Sequence, residues 1–326
     1  MRLMSLSTFG KTAKTHKCML LRKAILWFLL LQTLHQVTAQ NQNTYRHQIS
    51  VQHDNDFVFA IDRYYTTGSF VRYDHLLKDQ FIFKPVANAP LQLSLELGQQ
   101  TFTPRELFES DFDLLERPYA GYLFTKAWLS RASAVSVWEL GAELGLAGPQ
   151  SQAGAFQVAY HKLINEFIPV WAGEIANSFH VNTEASYYKD VKIARSNVLS
   201  YLTWQSKVAL GTRSSFVQQG VFLYLGDRAA AYESSAFGRI GQVSEFYGFS
   251  GLSLKYVINN ALVEGHPFGD DSPFTLSAVP FVWQWDSGLR YRTSRMTYQA
   301  VYHWQTNETS REGPWHYMSF AVGIRF

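Results

Sequence analysis

The chain of 326 residues contains one cysteine, Cys18, and it lies in a leader-like stretch. Whatever follows that stretch carries no thiol, which excludes a disulfide scaffold, a thiolate metal site and a cysteine nucleophile. No Gly-x-Ser-x-Gly elbow occurs and no serine is flagged by a neighbouring motif, so the usual sequence sign of a serine hydrolase is missing. The His-x-x-x-His spacing of zinc peptidases is absent as well. Beyond the leader, no segment approaches the roughly 20 apolar residues of a membrane-spanning helix. The net charge of +3 is small and partly due to the leader, and no basic–aromatic module points to nucleic acid. No internal repeat, low-complexity tract or linker marks a second domain.

Residues 1–39 read as a secretory signal peptide. Lys11, Lys14, Lys17, Arg22 and Lys23 give a basic leader, Ala24 to Leu34 a short apolar core, and Val37-Thr38-Ala39 a small-residue cleavage site before Gln40. The apolar core is about half of what a bilayer crossing needs, which argues against a retained anchor helix. No cysteine sits at the cleavage site, which argues against a lipoprotein. Residues 40–326 are then expected to form one large β-domain.

What the chain has in plenty is aromatic side chains: 18 Tyr, 24 Phe and 9 Trp, 16% of all residues, with a slightly negative mean hydropathy. Many aromatics without long apolar runs is the composition of lipid-facing strands flanked by aromatic girdles. The patterning agrees. In Leu91 to Leu97 leucines alternate with Gln92, Ser94 and Glu96; in Trp138 to Leu146, Trp, Leu and Ala alternate with Glu139, Gly141, Glu143 and Gly145. Period-2 alternation of this kind marks strands with one apolar and one polar face. Twelve segments are expected, near 46–57, 66–76, 91–102, 120–131, 134–147, 171–188, 196–207, 216–226, 243–259, 275–287, 293–305 and 316–326. Met318, Phe320, Val322, Ile324 and Phe326 alternate up to a terminal Phe, resembling the strand signal read by the outer-membrane barrel assembly machinery. The expected fold is all-β, an antiparallel transmembrane barrel of about 12 strands.

Two stretches break this rhythm. In Ser151 to Phe167, Phe156, Ala159, Tyr160, Leu163, Ile164 and Phe167 recur at helical spacing between Pro149 and Pro169, so a short helical insertion carrying His161 is expected over 151–167. The other is Asp54-Asn55-Asp56-Phe57 followed by Asp62-Arg63-Tyr64-Tyr65-Thr66-Thr67-Gly68, which crowds carboxylates, an amide and hydroxyls into fifteen positions. On a soluble loop these would be turn chemistry. On a barrel rim, carboxylate and amide oxygens suit a hard cation that polarises an ester carbonyl, and a histidine suits proton removal from water.

Asp54-Asn55-Asp56-Phe57, Asp62-Arg63-Tyr64-Tyr65-Thr66-x-Gly68, Gly98-Gln99-x-x-Phe102-Thr103-Pro104, Arg117-Pro118-Tyr119-Ala120-Gly121-Tyr122-Leu123, Gly148-Pro149 and Gln157-x-x-x-His161 occur in that order. Together they resemble successive signatures of the lipid A 3′-O-deacylase family. The resemblance implies a twelve-stranded outer-membrane enzyme that removes the 3′-linked acyloxyacyl group of lipid A by calcium-dependent ester hydrolysis. It further implies His161 as general base, Asn55 and Asp56 as the active-site pair with Asp56 on the cation, and Thr66 as a hydroxyl towards substrate or oxyanion. Arg63, Arg117 and Glu166 are carried as substrate-binding candidates, although Arg117, Pro118 and Gly121 also read as turn and packing residues. Departures are Thr67 where the family commonly has Asn, Asp54 where Glu is frequent, and Gln100 where a lysine is expected. The implied partners are lipid A or lipopolysaccharide, outer-membrane lipids and the assembly machinery, with no nucleic acid. The rival readings are a barrel with a structural or channel role, and an outer-membrane phospholipase.

Overall fold

A computed structural model describes residues 44–56, 63–77, 91–193 and 200–326; the leader, Phe57, Asp62 and residues 196–199 of the seventh expected strand lie outside the described residues. Twelve antiparallel strands close into a barrel: β1 (His47–Asn55), β2 (Tyr64–Leu76), β3 (Leu91–Thr103), β4 (Ala120–Ala132), β5 (Ser136–Ala147), β6 (Ser178–Lys192), β7 (Ser200–Gly211), β8 (Ser214–Asp227), β9 (Glu245–Asn260), β10 (Phe281–Arg292), β11 (Met296–Gln305) and β12 (Trp315–Arg325). β1 pairs with β12 from Gln48↔Arg325 to Asn55↔Met318, which abolishes any free edge. Among the described residues no helix is long and apolar enough to cross a membrane.

The strand expectations hold to within a few residues, with three informative differences. The sixth strand starts at Ser178 rather than 171, because Trp171 takes a left-handed φ of 52° and 171–177 is loop. The tenth starts at Phe281, not 275, and the eleventh at Met296, not 293. The helical insertion is shorter than 151–167: a 3-10 turn over Pro149–Ser151 leads into helix α1 (Ala153–Ile164). Asn165, left-handed at φ 57°, ends α1 by donating its backbone N–H to the carbonyls of His161 and Lys162. A second one-turn helix, α2 (Ala261–Glu264), had no periodicity to betray it.

Alternation sorts the wall as expected. Outward Leu97 and Leu140 are 57% and 67% exposed, while inward Asp74 and Ser94 are fully buried. The lumen is polar. Lys126 and Lys207 each hold Glu184 at 3.1 Å, and Arg72 holds Asp74 at 2.9 Å, around a cavity of about 340 Å³.

The rim at which β1 begins and β12 ends, the terminal rim, is sealed by the connection 228–244, which folds inward. Arg72 of β2 and Gln92 of β3 both donate to the Gly238 carbonyl at 2.9 Å. Arg239 donates to Ser130 of β4, while Arg290 of β10 reaches the Ser235 carbonyl and Arg325 of β12 that of Gly241. Arg228, Arg239, Arg292 and Arg325 are all buried there. The opposite rim, the loop rim, carries the connections 104–119, 148–177, 261–280 and 306–314 and the facing ends of β1 and β2.

Candidate functional site

Near the loop rim, the outward face of the wall changes character. On β1, Ile49 and Val51 give way to His53 and Asn55; on β3, Leu91 to Leu97 give way to Gln99, Thr101 and Thr103. Register aligns these into rows. His53 lies opposite Ser69, which lies opposite Gln99; Asn55 lies opposite Thr67, which lies opposite Thr101. A bulge between Tyr65 and Thr67 turns Thr66 out onto the same face, where its hydroxyl meets that of Thr103 at 2.7 Å. Polar side chains on a surface that should face hydrocarbon are costly unless something covers or uses them.

The covering is α1 and the turn before it. Gly121 on β4 belongs to the outward row, and a Cβ there would stand 2.1 Å from Ser151 Oγ and 2.5 Å from Ala153 Cβ, so a glycine is what lets the segment lie on the wall. Gln99 Nε2 donates to the Ser151 carbonyl at 2.7 Å, fixing the same contact from β3. Thr66, Thr101 and Thr103 face outward and are nonetheless buried. The helix has two dissimilar faces. Ala153, Gln157 and His161, spaced by four, form its buried stripe, whereas Phe156, Tyr160, Leu163 and Ile164 are exposed. The apolar periodicity of the sequence therefore marks the side turned away from the protein, and the polar stripe is the side that packs.

His161 is 9% exposed, and its Nδ1–H donates to the Phe167 carbonyl. A carbonyl can only accept, so this bond fixes the tautomer and puts the lone pair of the neutral ring on Nε2. One turn earlier, Gln157 accepts the Trp171 indole N–H through Oε1 at 2.9 Å, while its buried Nε2 meets no acceptor among the described residues. The helix rises about 12 Å over eight residues, and two strand spacings are about 10 Å. The stripe that begins over β4 at Ala153 thus has the length to carry His161 towards β2.

On the wall side, Asp56 is buried just past β1, and its Oδ2 accepts the Arg63 backbone N–H at 2.8 Å. Its own N–H reaches the Thr66 carbonyl at 3.4 Å. Asp56, Arg63 and Thr66 are therefore brought together, with Asn55 on the outward face beside them. Asp54, two residues away, points into the barrel and accepts the Tyr65 hydroxyl at 2.9 Å. Asn55, between the two aspartates, is the residue of the run that the pleat turns outward.

The substrate-binding candidates Arg117 and Glu166 stand in contrasting surroundings. Arg117 is fully buried, its guanidinium 3.2 Å from Glu312, 3.4 Å from Glu308 and stacked over Phe102 at 4.6 Å. It pins the 104–119 and 306–314 connections together. Glu166 is exposed beyond the end of α1, its backbone N–H donated to the His161 carbonyl at 2.9 Å. Arg63 is partly exposed with its guanidinium 5.6 Å from the Tyr64 ring. Thr103, Gln157 and Gly121 stand in the signature motifs without a site role there, and the structure adds them to the covered patch. Their signal was legible: a leucine row on β3 that turns polar at Gln99 marks the covered patch.

The family model described as outer membrane protein LpxR matches residues 25–326. The chain belongs to that family. Among solved structures, LpxR from Salmonella typhimurium superposes with a TM-score of 0.71 at 18% identity, covering 86% of this chain and all of the other. The beta domain of the Bordetella autotransporter BrkA aligns with a TM-score of 0.45 and 7% identity over 87% of this chain and 99% of its own. No curated protein matches. Family and closed twelve-strand barrel together place the protein in the outer membrane. The loop rim is then the cell-exterior rim, since such barrels carry their longer loops outside.

Proposed function

We propose that the protein is an outer-membrane ester hydrolase that removes the 3′-linked acyloxyacyl group of lipid A. The observation that supports this reading is the buried polar patch on the lipid-facing wall at the outer rim, roofed by a helix whose buried stripe contains His161. A lipid whose ester lies just below its head group presents that ester at this depth. In the proposed step, His161 Nε2 takes a proton from water as the water oxygen attacks the ester carbonyl. The resulting oxyanion is received by donors in the cleft: the Thr66 hydroxyl, the Asn55 amide and Gln157 Nε2. Collapse breaks the acyl–oxygen bond, the imidazolium returns its proton to the sugar oxygen, and free acid and alcohol leave.

The oxygens of Asp56, Asn55 and Thr66 are hard donors of the type calcium prefers. Among the described residues no three His, Cys, Asp or Glu side chains come together as a ready metal cage. A calcium ion would therefore take Asp56 as its carboxylate ligand, Asn55 as an amide ligand, and the remainder from carbonyls, water or substrate. When bound, it would add Lewis-acid polarisation of the ester carbonyl.

The test is mass spectrometry of lipid A from cells expressing the wild type or His161→Ala. Loss of a 3′ acyl chain with the wild type alone supports the reading; unaltered lipid A with the wild type overturns it. Undiminished activity in excess chelator would remove the cation. One observation favours a second reading, a serine lipase acting on phospholipid: on the same outward face His53 Nδ1 lies 3.0 Å from Ser69 Oγ. Ser69→Ala discriminates, since it abolishes a serine mechanism and leaves the His161 mechanism in place.

A further inference from the structure

Inside the barrel at its outer mouth lies a cavity of about 130 Å³, separated from the polar lumen below and on the opposite side of the wall from the covered patch. Its volume equals about four water molecules. Among the nitrogen donors that line it, three from different parts of the fold have no acceptor among the described residues. Lys255 of β9 makes no ion pair or hydrogen bond among the described residues, and its ammonium sits 5.6 Å from the Phe216 ring. Arg213, in the β7–β8 turn, donates from Nη2 to Gln100 at 3.2 Å and from Nη1 to Ser214 at 3.3 Å, leaving its buried Nε unpartnered. The Trp315 indole N–H at the start of β12 is buried and unpartnered too. Buried donors without acceptors are uncommon in native proteins, and each calls for an explanation.

The carboxylates nearby do not cancel this charge. Glu308 lines the cavity and is shared with Arg117. Burial raises its pKa, but Arg117, Lys255 and Arg213 outweigh that and hold it below the usual range. Glu312, the other partner of Arg117, is pushed by burial up to about 7 and is partly protonated at neutral pH. The two cations of the cavity, Lys255 and Arg213, thus face one carboxylate, Glu308, that is itself shared with Arg117.

We propose that this mouth cavity binds a phosphate-class oxyanion through Lys255 Nζ, Arg213 Nε and the Trp315 N–H. Donors from three separate elements around one small cavity match a tetrahedral anion with several acceptor oxygens better than a planar carboxylate. Lysine and arginine are the side chains suited to that ligand. The phosphate could be inorganic or belong to a glycolipid head group reaching over the rim; the chemistry is the same. The site rests on no assumption about the ester reaction.

The experiment is a binding titration of the folded full-length barrel in detergent micelles, with two probes. One arm uses inorganic phosphate; the other compares lipid A with its dephosphorylated form in the same micelles. Saturable binding in the first arm identifies a free-anion site. Phosphate-dependent binding only in the second identifies the head group as the source. In either case Lys255→Met should weaken binding about tenfold or more, the cost of one charge-assisted bond, while Lys255→Arg retains it. Heat-modified gel mobility checks that each variant is folded. No saturable binding of either probe, or a folded Lys255→Met that binds as tightly as wild type, overturns the proposal.

Discussion

At Thr66 one extra residue in β2 decides which face of the wall a hydroxyl serves. The bulge turns it outward to Thr103 at 2.7 Å, whereas its neighbour Tyr65 points inward to Asp54. If the Thr66 hydroxyl meets the developing oxyanion, Thr66→Val should lower kcat about a hundredfold and Thr66→Ser should keep most of it, measured by lipid A deacylation in detergent. His161→Ala, which removes the proposed base, should cost roughly 10²- to 10⁴-fold in the same assay. A different residue governs pH behaviour. Glu174, in the connection after α1, has a buried Oε1 without a partner, and burial pushes its carboxyl up to about 7. Between its ordinary value of 4.5 and about 7 the folded chain holds a proton that the unfolded chain has released. Its contribution to stability is therefore greatest at low pH, falls as pH rises through that window, and levels off above it. Glu174→Gln should melt like wild type at about pH 4 and higher than wild type at about pH 8, by heat-modified mobility or scanning calorimetry.

Among the elements, α1 decides whether there is a site at all. Its register on the wall depends on the close approach at Gly121 and on the Gln99–Ser151 bond. Gly121→Val places carbon atoms where Ser151 and Ala153 now sit. Because the strand itself accommodates valine well, the barrel should fold with near-normal heat-modified mobility while deacylation falls by at least about tenfold, as expected when a positioned group is displaced by about an ångström. The exposed apolar side of α1, with Phe156, Tyr160 and Leu163, is explained by the same placement: a helix on the outside of a barrel wall has hydrocarbon for its other neighbour.

For the whole molecule, the question is whether the lumen is a path. The 228–244 connection bonds to strands on several sides of the terminal rim, and its Ser235 to Arg239 segment forms the floor of the lumenal cavity. The wild type should show no steady conductance in planar bilayers, and a variant with 232–242 replaced by a short glycine linker should conduct. Steady wild-type conductance would favour the channel reading of this barrel.

The twelve strands, the polar lumen and the outer-membrane destination were written in the sequence because a strand buries alternate side chains, and a period of two survives in one dimension. Leu91 to Leu97 announces its lipid face without reference to any neighbour. The residue types at Asn55, Asp56, Thr66 and His161 were legible too, as was a helix near 151–167. What one dimension does not carry is which face of which wall these groups share. Asp54 and Asp56 look equivalent in the chain, yet Asp54 accepts the Tyr65 hydroxyl inside the barrel, and Asp56 accepts the Arg63 backbone N–H past the end of β1. Arg117 reads as an available cation until Glu308 and Glu312, nearly two hundred residues later, enclose it. Closure of the ring and the docking of α1 against Gly121 depend on contacts between distant segments, and only tertiary structure makes those.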